Sequence, residues 1–166
     1  MLPASSWACR KARQFRKHLA ARVSLEERRA VAAWVRPAEL ALFDAMHVAD
    51  RRHGLDVVAH LRRAGVRDRD ILAAGLLHDC AKGDTGPGPR VAWSLGEALG
   101  PWVHVIAARV PGWAAAMDRL RHHADASADA LEAAGLSARA VALVRDQDAP
   151  RDAEYGARFH AADEAC

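Results

Sequence analysis

The chain has 166 residues, only 5% aromatics and a formal net charge of +3, with alanine, arginine and leucine dominant. That length suits one domain able to build its core without disulfides or structural metal, and the weak strand signals point to an all-α protein. Cys9, Cys80 and Cys166 are too scattered for a disulfide framework or a Cys-x-x-Cys zinc site, and no apolar run approaches the roughly 18 residues of a membrane span.

No acidic residue precedes Glu26, whereas Arg10, Lys11, Arg13, Arg16, Lys17 and Arg22 crowd the first segment. Ala8, Ala12, Phe15, Leu19 and Val23 recur at near-helical spacing there, so residues 1–37 read as a basic amphipathic arm with a lead-in helix. Two roles follow for the arm. Its apolar stripe docks on the domain while the arginines face water, or the segment contacts nucleic acid or an anionic surface. The stretch is too short and too charged for a cleavable signal peptide. With no disulfide framework, a reducing cytoplasm is the expected compartment.

Ser24-Leu25-Glu26-Glu27 fits a capping box and opens a helix through about Val35. Pro37 then suits the start of a second helix carrying Leu40, Phe43 and Met46 on one side. A third helix is predicted from about Asp50 to Ala64, stopped by Gly65, with Leu55, Val58 and Leu61 buried and Gly54 allowing close approach of another backbone. Asp68 or Asp70 caps the next helix, whose apolar run Ile71–Leu77 ends at His78-Asp79. The clearest loop, Gly83 to Pro89, follows at once and is placed to rim an opening above that pair. Helices are then expected over Val91–Leu99, Val103–Arg109 and Gly112–Ala134, the last broken near His123. Ser137 caps another through about Arg145, and a final helix covers roughly Ala153–Ala165.

The His78-Asp79 pair carries the chemistry. An imidazole and a carboxylate closing a buried helix are costly unless partnered, and a metal ion satisfies both. Of nine histidines, His18 reads as solvated, and His47 and His104 as packing or surface residues. His53, beside Gly54, is a candidate ligand, with His60 on the same face.

The order of His53 on one helix, Leu76-Leu77-His78-Asp79-Cys80-Ala81-Lys82, and Asp163 on a late helix resembles the HD-domain superfamily of metal-dependent phosphohydrolases. The resemblance implies an HD-domain-like helical bundle over residues 38–166. Its metal ligands would be His53, His78, Asp79 and Asp163, with His123 of the His122-His123-Ala124-Asp125 stretch as a further ligand and His122 near substrate. A mixed nitrogen and oxygen set suits manganese, iron, cobalt, nickel or zinc, with magnesium admissible. The next histidine that two-metal relatives would carry is missing; this chain reads Val144-Arg145-Asp146-Gln147-Asp148, which favours one ion. Cys80 is expected as a small buried filler.

The implied function is hydrolysis of a phosphomonoester or phosphodiester in a nucleotide or related phosphorylated small molecule, through a metal-activated water. Asp79 would orient or deprotonate that water, and Lys82, with His122 or His123, would offset phosphate charge. The alternative is a catalytically degenerate scaffold that binds a nucleotide, RNA or a protein partner.

Overall fold

The computed structural model describes residues 20–166, over which the chain is all-α, with nine helices and no strand among the described residues. The stripe of the basic arm through Leu19 lies outside them. Local chemistry sets most helix starts. α1 (Leu25–Ala32) opens on the reciprocal capping box: the Ser24 hydroxyl accepts the Glu27 N–H at 3.1 Å, and the Glu27 carboxylate accepts the Ser24 N–H at 2.8 Å. α2 (Pro37–Ala45) has proline in its first turn, where no N–H is needed. α3 (Val48–Arg63) is capped by His47, whose ring accepts the Ala49 N–H at 3.2 Å. Asp68, not Asp70, caps α4 (Arg69–Leu77), accepting the N–H groups of Asp70 and Ile71.

α5 (Pro87–Leu99) begins four residues earlier than the sequence pattern implies, because Pro87 and Pro89 are absorbed into its first turn rather than spent on the loop. α6 (Trp102–Ala107) is short. α7 (Ala114–Ala133) runs unbroken through His123, contrary to the expected interruption. α8 (Ala138–Arg145) is capped by Ser137, and α9 (Gly156–Ala165) closes the chain.

α4 is the hub. All residues from Ile71 to Leu77 are buried, and the helix packs against α2, α3, α7 and α8. A helix apolar on every side belongs in the interior, so the polar pair at its end is delivered into the bundle. α9 crosses onto α3, carrying Asp163 toward His53. Val31 of α1 joins Phe43, Leu61, Leu76 and Phe159 in one core, so the lead-in helix packs onto the bundle. Fully buried Glu39 of α2 pairs with Arg69 of α4, binding the two helices. On α3 the buried side includes Val57, Val58 and Leu61, while Leu55 only reaches the core's margin.

The α3–α4 contact depends on Gly54. A Cβ there would lie 2.2 Å from the Leu76 carbonyl oxygen, a backbone atom that cannot swing away. Gly54→Ala is therefore expected to push α3 off α4 and to destabilise the fold by about 1–3 kcal/mol or more. A urea midpoint equal to that of the wild type would contradict this packing. Among the described residues, no helix is long and apolar enough to cross a membrane.

Candidate metal centre

His78 is the C-cap of α4, in right-handed helical conformation, and its Nδ1 lies 3.0 Å from the Gly75 carbonyl oxygen. A carbonyl can only accept, so Nδ1 carries the proton and Nε2 is left with its lone pair when the ring is neutral. This is the arrangement by which a backbone carbonyl orients a metal-ligating imidazole. Nε2 is buried and has no hydrogen bond of acceptable geometry, although Asp163 Oδ1 lies 3.2 Å away. Asp79 Oδ1, 3.5 Å from the same nitrogen, is likewise buried and unpartnered. With the His78 ring neutral, an orphaned buried polar atom costs about 1–3 kcal/mol. Two of them converge here.

His53 completes the group from α3. Its Nε2 is 2.8 Å from Asp163 Oδ1, and its ring stands edge-on to that of His78, centroids 5.1 Å apart. Ligand atoms of His53, His78 and Asp163 all lie within 4.8 Å of one another. An ion with bonds of about 2.0–2.2 Å needs its ligands roughly 3–3.5 Å apart, so only small side-chain adjustments separate this cluster from a coordination shell. Asp79 adjoins through Oδ1. His53 and Asp163 are partly exposed whereas His78 and Asp79 are buried, so the cluster opens at the α3–α9 side.

The charges of the cluster are coupled. Burial would push the His78 imidazole down, but the carboxylates of Asp79 and Asp163 outweigh it and hold the group up at about 9. Burial opposes ionisation of both carboxylates, yet His78 and Lys82 keep Asp79, and His78 and His53 keep Asp163, well below the usual carboxylate range. With neutral histidines, two carboxylates face one ammonium, and the excess is negative.

Lys82 is one turn beyond the dyad, with Nζ 2.6 Å from Asp79 Oδ2. It therefore clamps the carboxylate oxygen that the cluster does not use and leaves Oδ1 toward His78. The Ala81 N–H donates to the buried Ser127 hydroxyl of α7 at 3.1 Å, which pins the dyad turn to that helix. The following loop is held by an ion pair not anticipated from sequence. Arg90 of α5 forks onto Asp50 of α3 at 2.6 and 2.7 Å, and also reaches Thr85 Oγ1 and the Gly83 carbonyl. Forty residues separate the partners, and neither has a local motif to betray it.

The two remaining histidines divide. His123 faces the centre from α7, with Nε2 3.7 Å from Asp79 Oδ1 and 3.0 Å from Gln147 Nε2. His122, a residue earlier and about 100° around an unbroken helix, is 60% exposed and lies 3.7 Å from Asp118. The structure does not bring the His122 ring into the cluster of His53, His78 and Asp163. Cys80 is partly buried, and burial pushes its thiol up to about 11, which fits a packing residue and not a nucleophile. His104 stacks on Trp93 with ring centroids 4.1 Å apart, a packing role. A cavity of about 200 Å³ lies among Leu143, Asp146, Gln147, Arg151 and Phe159; neither His53, His78, Asp79 nor Asp163 lines it.

No protein-family profile, curated protein or solved structure matches the chain. The functional reading therefore stands on the chemistry of these residues.

Proposed function

We propose that the chain is a phosphohydrolase of HD-domain type, dependent on one divalent transition metal and acting on a phosphorylated small molecule such as a nucleotide. The observation that carries this reading is the pair of buried, unpartnered atoms, His78 Nε2 and Asp79 Oδ1, beside the His53–Asp163 contact. Apolar residues or a closed hydrogen-bond network would fill such a place at lower cost. His53, His78 and Asp163 would hold the ion, with Asp79 as the adjoining carboxylate. When bound, the ion supplies Lewis acidity and lowers the pKa of water at neutral pH.

The chain's own residues account for the rest. Asp79, kept ionised by His78 and Lys82, accepts a hydrogen bond from the attacking water through Oδ1 and orients it. The Lys82 ammonium has three donors, of which Asp79 takes one, so it can also meet a phosphate oxygen. Arg119 of α7 donates to the Asp84 carbonyl at 3.3 Å and adds positive charge beside the loop. An anionic substrate entering at His53 and Asp163 would meet the Lys82 ammonium, which acts on Asp163 as well as Asp79.

The test is a panel of nucleotides and phosphorylated metabolites, assayed with manganese, cobalt, nickel, zinc and magnesium beside Asp79→Asn. The wild type should release phosphate or cleave a diester in at least one combination. The variant should lose about 10²–10⁴-fold in turnover, and its melting curve shows what Lys82 costs the fold without a counter-charge. Comparable turnover in a folded Asp79→Asn protein refutes the mechanism. A wild type that binds no ion and turns over nothing instead supports the scaffold alternative.

A further inference from the structure

We infer that Gln147 holds the centre to a single ion, because its side-chain amide occupies the one nitrogen through which His123 could join Asp79 in binding a second. This rests on reading His53, His78 and Asp163 as the site of the first ion.

The His123 ring is fixed from behind. Its Nδ1 lies 2.7 Å from the Leu120 carbonyl oxygen, so that nitrogen is the donor and Nε2 holds the lone pair. Left alone, Nε2 and Asp79 Oδ1, 3.7 Å apart, would offer two arms to one cation, since two bonds of about 2.1 Å span that distance. Gln147 Nε2 intervenes by donating to His123 Nε2 at 3.0 Å. The lone pair is engaged by this hydrogen bond, so a second ion could take the nitrogen only by displacing the buried amide.

In the metal-free protein the amide cannot turn over without loss. Rotated by half a turn, it would aim its carbonyl oxygen at the imidazole lone pair, acceptor against acceptor. In the orientation present, Gln147 Oε1 is buried and unpartnered, a cost borne in return for the bond to His123. Gln147 is anchored through its backbone and borders the cavity described above. It is 6% exposed, its N–H donates to the Val144 carbonyl, and its own carbonyl lies 3.2 Å from His160 Nδ1 of α9. Gln147 thus reaches His123 from the turn after α8 while tied to α9. The consequence is chemical: one-ion hydrolysis remains open, whereas reactions that need a substrate or oxidant bridging two ions do not.

Metal content after equilibrium dialysis against MnCl₂ or ZnCl₂, read by elemental analysis, tests this directly in the full chain. Wild type should hold one equivalent and Gln147→His two, the new imidazole replacing a donor with a ligand. In the metal-free protein, a long-range ¹H–¹⁵N spectrum should show the His123 Nε2 signal shifted in Gln147→Leu, which keeps the bulk but removes the amide. Two equivalents in wild type, one in a folded Gln147→His, or an unmoved His123 signal in Gln147→Leu would each overturn the inference. One ion in both wild type and Gln147→His defeats the inference alone; no ion in either defeats the first-ion reading and this inference with it.

Discussion

Alanine in place of His78 is expected to lower metal affinity by roughly a hundredfold or more, since even groups that only orient a ligand are worth about 10–100-fold. Turnover should fall by about three orders of magnitude, the several kcal/mol of charge stabilisation that a bound ion supplies. His78 is the middle of the cluster: its Nε2 faces Asp163 Oδ1 at 3.2 Å and Asp79 Oδ1 at 3.5 Å. Removing it leaves two buried or half-buried carboxylates looking at each other across a small void, so the metal-free variant also loses stability. His53→Ala separates the two effects. That ring is at the mouth, 21% exposed, and its loss should spare the fold while still weakening metal binding. Equal metal content in wild type, His78→Ala and His53→Ala would remove the centre from consideration, whatever the activities.

How much of this was readable beforehand depended on sequence distance. The capping box at Ser24, the Asp68 and Ser137 caps and the terminating Gly65 act over a few residues, and each is found where its pattern indicates. Gly54 was legible as a place of close approach, though not that the approaching atom is the Leu76 carbonyl oxygen. His78 and Asp79 stood out because the dyad ends an all-apolar helix, whereas His53 and Asp163 were joined to it only through the family resemblance of the motif order. What local pattern could not show was pairing across the bundle. Arg90 with Asp50, and Gln147 with His123, join residues 40 and 24 positions apart. The roles of His122 and His123 turned on helix phase: an expected break near His123 left both available, whereas an unbroken α7 directs one ring inward and the other to solvent.

Metal binding and metal-free stability should respond to pH with opposite signs. In the metal-free protein His78 is held up to about 9 from an ordinary 6.5, burial being outweighed by Asp79 and Asp163. Below about pH 6.5 folded and unfolded chains both carry the proton, and its attraction to the carboxylates contributes in full. Between about 6.5 and 9 only the folded chain keeps it, so stability declines as pH rises; above about 9 the contribution is gone. A shift of this size corresponds to at most about 3 kcal/mol, visible as a falling urea midpoint in EDTA-treated protein. The proposed ion would need the same Nε2 lone pair, so its entry would expel that proton. Each pH unit from about 7 to about 9 should then raise metal affinity about tenfold, levelling off beyond, with close to one proton released per ion in unbuffered titration. Chelator competition at pH 7, 8 and 9 measures the slope. A flat affinity over that range would mean that the ion and the His78 proton do not compete for one nitrogen, and His78 would have to be struck from the ligands.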